Sequence, residues 1–90
     1  MVLPKERLAT HPGEVLLEEY IKPLGLTQAA LAKELGISAN RLNELVKGKR
    51  GVTADTALRL SHRFHTSPEF WMNLQSAYEL TEARIAVGAD

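Results

Sequence analysis

The segment 27–50, TQAALAKELGISANRLNELVKGKR, constrains the fold more than any other part of the chain. Apolar residues recur in it at helical spacing and form two separate stripes, which predicts two short helices. Thr27 and Ser38 are residue types that cap helix N-termini, and Gly36 can take the left-handed conformation that ends a helix. Because Ile37 is apolar within this tight turn, the turn must face a core and the helices must cross steeply. The stripes consist of Leu31, Ala32 and Leu35 in the first helix and of Leu42, Leu45 and Val46 in the second.

Two short helices joined by a glycine turn are typical of a helix-turn-helix, whose second helix lies in the major groove of DNA. With the apolar stripe inward and about 100° per residue, Asn40, Glu44 and Lys47 point away from the core. Arg41 and Asn43 flank that face. Asn can bridge adenine N6 and N7, and Arg can bridge guanine O6 and N7. The sequence therefore predicts a DNA-reading helix in which Asn40 and Arg41 read bases.

A basic segment, formed by Lys47, Lys49 and Arg50, follows this helix and suits contacts with phosphates. Glu44 is ambiguous, because it can accept from cytosine N4 but repels a nearby phosphate. The alternative interpretation is an ordinary helical hairpin with a solvated polar face. A face that is rich in Asn and Arg and holds a single acid favours DNA binding over that alternative.

Length and composition exclude several classes of protein. A chain of 90 residues with 44% hydrophobic residues predicts one small packed domain over residues 1–90. There is no cysteine, and no apolar run approaches the roughly 20 residues of a membrane span. The start, MVLPKERLAT, lacks the apolar core of a secretion signal. We therefore expect a cytoplasmic protein without a cofactor. An enzyme is the weakest interpretation, since no nucleophile–base pair, metal set or phosphate-cradling glycine loop stands out.

Charge is segregated along the chain although the net charge is zero. Residues 27–50 hold five basic and two acidic side chains, whereas residues 68–90 hold one basic and four acidic side chains. One surface can therefore meet DNA while another repels it or meets a basic partner. Chance is the competing explanation, so this pattern supports DNA binding without establishing it.

Three more helices are predicted around this motif. Residues 1–10 show no clear period and are expected to form a short N-terminal arm. The run HPGE at residues 11–14 opens the first helix, because proline and an acid suit a first helical turn. Thr53 caps a fourth helix, and Ser67 followed by proline and glutamate starts a fifth.

The fourth helix offers two further pairs of functional residue types. Arg59 and Arg63 lie four apart and suit phosphates, a protein interface or solubility alone. His62 and His65 lie three apart, which is a metal-ligand spacing. A metal site needs a third ligand, and none lies nearby in the sequence, so surface or cap roles are favoured and no metal is predicted.

The fifth helix carries more apolar surface than one side of a helix in a small domain normally needs. One explanation is that its aromatic residues close the core. We favour the other, a dimerisation helix over residues 68–80, because DNA readers of this type usually bind two half-sites about 34 Å apart and exposed aromatic residues mark interfaces. The predicted homodimer interface consists of Phe70, Trp71, Leu74 and Tyr78.

Several segments resemble a known family. TQAALAKELGIS and LVKGKR look like the Cro/repressor (XRE-like) helix-turn-helix, and HPGEVLLEEYIKPLGLTQ, GKRGVTADTALRLS and SPEFWMNLQ together resemble the HigA-type antitoxins of toxin–antitoxin pairs. The similarity covers residues 11 to about 80. It implies an all-α, five-helix, dimeric fold that represses its own operon at a palindromic operator. It also implies that the protein neutralises a HigB toxin, a RelE-like ribonuclease that cuts messenger RNA.

The resemblance also assigns roles to residues, most of them on the helix-turn-helix at 27–47. Ala39 is short where some relatives of the wider group carry a longer polar residue, so it offers a thymine methyl contact at most. Two alternatives stay open: a stand-alone repressor without a toxin, and an interaction module that no longer binds DNA, which zero net charge and Glu44 support. The DNA-binding residues that the resemblance implies are Gln28, Ser38, Ala39, Asn40, Arg41, Asn43, Lys47, Lys49 and Arg50.

Overall fold

Five helices make up the computed structural model, which describes residues 9–88. Within that range the chain holds no strand, so the predicted all-α, five-helix architecture is confirmed. The first helix ends in a π-helical turn, Leu17–Ile21. Most of the arm predicted over residues 1–10 lies outside the described residues. The helices are α1 Pro12–Leu16, α2 Gln28–Leu35, α3 Ala39–Val46, α4 Ala54–Phe64 and α5 Pro68–Val87.

Four of the predicted helix starts are capped by the residue that the sequence indicates. The hydroxyls of Thr27, Ser38, Thr53 and Ser67 each accept a hydrogen bond from a backbone N–H in the first turn of the following helix. Gly36 has a φ of 74°, which ends α2 in the left-handed region. The tight turn between α2 and α3 therefore has the predicted conformation.

The core lies where α1, α4 and α5 enclose the helix-turn-helix formed by α2 and α3. Both predicted apolar stripes reach it, and Ile37 in the turn packs against it as expected. Polar groups inside the core are hydrogen-bonded, and no buried side-chain nitrogen or oxygen of the described residues lacks a partner. The buried apolar side chains are Leu16, Ile21, Leu31, Ala32, Leu35, Leu42, Leu45, Val52, Ala57, Leu60 and Trp71.

Helix α1 touches α3 backbone to backbone. A Cβ atom on Gly13 would lie 1.8 Å from the Leu45 carbonyl oxygen, so no side chain fits at this contact. Because the backbone of Gly13 in α1 lies directly against the Leu45 carbonyl group of α3, this contact sets how closely the last turn of α3 approaches the first turn of α1. The orientation of α3 in the fold therefore depends on a glycine outside the helix-turn-helix.

The loop between α3 and α4 is attached to α5 by a buried amide. Gln75, 8% exposed, accepts a hydrogen bond from the Val52 backbone N–H at 2.7 Å and donates to Glu79 at 2.7 Å. A Cβ atom on Gly51 would meet the Gln75 side chain at 2.7–2.8 Å, so the loop backbone lies directly on this amide. Gln75 consequently fixes where the basic segment leaves the end of α3.

The burial of Trp71 corrects one predicted interface residue. Its side chain is 0% exposed, its Nε1 donates to Thr66 Oγ1 at 2.7 Å, and its ring lies 5.4 Å from that of Tyr20. A residue enclosed by its own chain has no surface to offer a second copy, so Trp71 is a core residue. Phe70 is the neighbouring aromatic that stays exposed, at 38%.

Candidate nucleic-acid interface

Helix α3 buries one face and leaves the opposite face to solvent, as its sequence predicts. Leu42 and Leu45 are fully enclosed, while Asn40 and Lys47 are exposed. Ala39 at the start of the helix is exposed too. The outer face of α3 therefore presents a short side chain and an amide at its N-terminal end, which is the end that enters a major groove in helix-turn-helix proteins.

A hydrogen bond joins the first residue of α2 to the middle of α3. Asn43 Nδ2 donates to Gln28 Oε1 at 3.2 Å, and both side chains are half-buried. Among the residues that the structure describes, each amide keeps a free end for another partner: Gln28 keeps its NH₂ group and Asn43 its side-chain oxygen. The pair thus holds one donor and one acceptor in fixed relation, which is the arrangement that a base edge or a phosphate next to a base can use.

The side chain of Arg41 reaches from α3 to the first turn of α4. Its Nη2 donates to Asp55 Oδ2 at 3.0 Å and to Thr56 Oγ1 at 2.6 Å, both in the first turn of α4. Its side chain is 28% exposed. The guanidinium is thus held at the junction of α3 and α4, and the expectation that Arg41 flanks the outer face of α3 and reads bases stays a prediction.

Asp55 connects this junction to the helix-turn-helix turn. It also accepts from Arg59 Nε at 3.0 Å, and Arg59 Nη1 donates to the Leu35 carbonyl oxygen at 2.8 Å. Hydrogen bonds from Arg59 and then from Arg41 hold the pKa of Asp55 below its usual value, so the carboxyl group is ionised. The Asp55–Arg59 pair is visible in the sequence as an i,i+4 spacing. The Arg41 contact has no such local signal, and sequence reasoning missed it.

The basic segment is exposed, but one of its charges is partly compensated. Arg50 Nε and Nη2 donate to Glu44 Oε1 at 3.1 and 2.8 Å. Lys47 and Lys49 are exposed and make no ion pair within residues 9–88. Because Glu44 pairs with Arg50, its charge repels a nearby phosphate less. Lys47 and Lys49 are therefore the stronger candidates for phosphate contacts.

A polar cleft of about 470 Å³ is lined by Lys49 and Arg50 of the basic segment and by His11. His11 Nδ1 accepts from the Gly13 N–H at 2.9 Å and so caps α1. Its ring meets the Tyr78 ring edge-on at 4.8 Å. Burial lowers the pKa of His11, and the nearby carboxylates of Glu82 and Glu14 oppose that effect. Tyr78, one of the predicted interface residues, thus supports the cap of α1.

The two arginines predicted as candidates on α4 have intramolecular partners. Arg63 forms an ion pair with Glu34 of α2, and Arg59 donates to the Leu35 carbonyl oxygen of α2, so both arginines attach α4 to α2. Within residues 9–88, His62 and His65 belong to no cluster of three potential metal ligands. None of the helices in that range combines the length and apolarity of a bilayer span.

Comparison with known proteins shows where similar chains occur. A helix-turn-helix family model matches residues 17–71. Virulence-associated protein I of Dichelobacter nodosus is 54% identical over 78 residues, which are 87% of this chain and 72% of that protein. Antitoxin HigA-1 of Vibrio cholerae is 40% identical over 73 residues, which are 80% of this chain and 68% of that protein.

A solved structure extends the similarity to three dimensions. Pseudomonas aeruginosa antitoxin HigA, determined with the higBA promoter, aligns with a TM-score of 0.86 and 46% identity. The alignment covers 89% of this chain and 87% of that chain. The two chains therefore share one fold over most of their length.

Proposed function

Because this chain belongs to the helix-turn-helix family, and within it to the HigA-type antitoxins, we propose that it binds the operator of its own operon as a repressor and neutralises a HigB/RelE-like toxin. The observation that carries the DNA-binding half is the outer face of α3. That face is polar and exposed, lies beside the Gln28–Asn43 pair and is followed by two exposed lysines. This role needs no catalysis and belongs in the cytoplasm, where the operator is.

On DNA, some of these residues contact base edges and others contact phosphates. Asn40 and the Gln28–Asn43 pair select bases, and Ala39 contacts a thymine methyl. Ser38 caps α3 with its oxygen and keeps its O–H for a phosphate. Phosphate contacts by the basic segment position α3 in the groove and make binding salt-dependent. The zero net charge of the chain does not oppose this, because the charge is segregated.

A titration of the protein with duplexes tests the DNA-binding role. Anisotropy would compare DNA from upstream of the gene with a scrambled duplex of equal length, at several salt concentrations. The proposal predicts tighter binding to the upstream duplex and an affinity that falls with salt. Equal affinity for both duplexes would leave only an electrostatic contact and would refute operator recognition.

Neutralisation of a toxin is tested separately. The reading frames next to the gene would be searched for a small basic protein, and that protein would be expressed with and without this chain, with growth arrest and co-purification as readouts. Rescue of growth together with a stable complex supports the antitoxin role. Operator binding without rescue would favour the alternative, a stand-alone helix-turn-helix repressor.

A second copy of the chain is the proposed partner of the outer face of α5. Phe70, Leu74, Ala77 and Leu80 follow one another at spacings of three and four, which makes an apolar stripe along the helix. Phe70 and Leu80 are exposed, and a groove of about 530 Å³ lies between α5 and the Val15 side of α1. Exposed apolar stripes of this kind form homodimer interfaces, and a dimer supplies the two α3 helices that a palindrome requires.

A further inference from the structure

The first turn of α4 holds a carboxylate that accepts a hydrogen bond from an arginine of α3. Asp55 Oδ2 accepts from Arg41 Nη2 and from Arg59 Nε, each at 3.0 Å. Arg59 is itself attached to the end of α2 through the Leu35 carbonyl oxygen. Arg59, which is attached to α2, therefore holds the Asp55 carboxylate in place. Asp55 in turn positions Arg41 of α3, the helix proposed to face DNA.

Thr56 supplies the second acceptor for the same nitrogen. Its Oγ1 accepts from Arg41 Nη2 at 2.6 Å, and the residue is only 3% exposed. Thr56 Oγ1 also lies 3.2 Å from the Thr53 hydroxyl that caps α4. Both acceptors are thus built into the start of α4, and Nη2, which carries two N–H groups, has a partner for each.

Engagement of Nη2 decides what Arg41 can recognise. A guanidinium reads guanine O6 and N7 through two parallel N–H bonds, and each of its two forks uses Nη2 together with either Nη1 or Nε. With Nη2 occupied, neither fork is complete. Within residues 9–88, Arg41 Nε and Nη1 make no hydrogen bond. Their N–H groups can each donate to a phosphate oxygen, which carries no sequence information.

We propose that Asp55 is a specificity-determining residue that acts through Arg41: it holds the guanidinium so that Arg41 contacts a phosphate and not a guanine, and so leaves base selection to Asn40 and the Gln28–Asn43 pair. This inference rests on the proposed operator binding. Asp55 is a positioning residue, since it touches Arg41 and not the DNA. Release of Arg41 would add a reader for any duplex that carries a guanine within its reach, the scrambled duplex included, and specificity would relax.

Duplex binding by four variants tests the proposal. Asp55→Asn removes the charge at nearly constant shape, and we expect the ratio of operator to scrambled-duplex affinity to fall about three- to tenfold. The salt slope should steepen by up to about one unit, because one phosphate-repelling charge is lost. Thr56→Val frees one N–H of Nη2 without changing the charge, and the ratio should fall in the same direction. Arg41→Ala alone should weaken both duplexes alike, and in the Asp55→Asn background it should abolish the loss of specificity.

Glu69→Gln is the matched control. Glu69 occupies the second position of α5, as Asp55 occupies the second position of α4, and it is exposed. It therefore controls for the loss of one acid from a helix N-terminus, and its affinity ratio should equal that of the wild type. An Asp55→Asn ratio equal to that of Glu69→Gln would overturn the proposal. The same conclusion would follow if the loss of specificity persisted in the Arg41→Ala background.

A measurement without DNA separates this inference from the proposed function. The Arg41 Nε–H group should be ordered by NMR relaxation in the wild type and in Glu69→Gln, and mobile in Asp55→Asn. Unchanged order of Arg41 in Asp55→Asn would refute the positioning of Arg41 by Asp55, whatever the protein binds. If the positioning of Arg41 by Asp55 is confirmed while wild-type protein shows no preference for upstream DNA, operator binding fails, and the specificity role of Asp55 fails with it.

Discussion

Asn40 is the residue on which the proposed base selection depends most directly. It is exposed at the second position of α3, and an amide there can bridge adenine N6 and N7. We expect Asn40→Ala to cost about 1–3 kcal/mol on the operator and little on a scrambled duplex. Anisotropy titrations on both duplexes measure this difference. Asn73→Ala on α5 removes an equally exposed amide and should change neither affinity. Equal losses on both duplexes would make Asn40 a backbone contact.

Gln75 makes a separate prediction about stability. Replacing it by Met keeps most of its volume but leaves the buried Val52 N–H without an acceptor. We expect the free energy of unfolding to fall by about 1–3 kcal/mol, which urea denaturation would measure. Glu79→Gln keeps the Val52 bond while removing the charge that Gln75 also contacts. That control should cost less than about 0.5 kcal/mol, and an equal loss in both variants would argue against the role of the Val52 bond.

Single residues also show where sequence reasoning ends. Ser38 and Gly36 were predictable, because a cap and a left-handed turn are decided within a few residues. The partner of Arg41 was not predictable, since Asp55 meets it only when α4 packs beside α3. Trp71 illustrates the same limit: helical spacing allowed it to face either the core or a partner, and packing alone decided for the core.

At the scale of elements, helix starts and stripes followed from local chemistry, whereas the approach of one helix to another did not. The sequence placed α2 and α3 correctly because their caps and apolar stripes agree with each other. It gave no reason for Gly13, whose role appears only where α1 meets the Leu45 carbonyl group. Contacts between elements that are distant in sequence are therefore the part of the candidate site that required coordinates.

The N-terminus of α1 should make stability depend on pH. Burial lowers the pKa of His11, so near pH 6.5 the folded state binds fewer protons than the unfolded state. The free energy of unfolding should consequently fall as the pH drops below about 6.5 and should level off once the folded state is also protonated. Protonation also removes the Nδ1 acceptor that caps α1. Thermal unfolding between about pH 5 and pH 8 measures the effect.

A non-titrating cap tests this assignment to His11. His11→Asn retains an acceptor suited to an N-cap, and its unfolding should depend less on pH than that of the wild type in the acid range. His62→Asn changes an exposed histidine of α4 and should leave the wild-type profile unchanged. If both variants kept the wild-type profile, the acid sensitivity would have another origin.

At the scale of the whole molecule, the proposed dimer depends on the outer stripe of α5. Leu80 is 51% exposed, and a charge there would oppose burial against a second copy. We expect Leu80→Glu to shift sedimentation from dimer to monomer and to weaken operator binding at least tenfold, because one α3 helix reads only half a palindrome. Leu58→Glu on α4 is the matched control, since Leu58 is 59% exposed. A dimeric Leu80→Glu protein would place the interface elsewhere.

The attachment of the α3–α4 loop to α5 through Gln75 has a consequence for operator architecture. In the proposed dimer, α5 meets the second copy, and the same helix carries Gln75, whose side-chain amide holds the loop that follows α3. A small change in how two α5 helices cross would alter the number of base pairs between half-sites while every contact with a base stayed the same. Relatives with identical α3 helices but different α5 stripes should therefore prefer palindromes of different length.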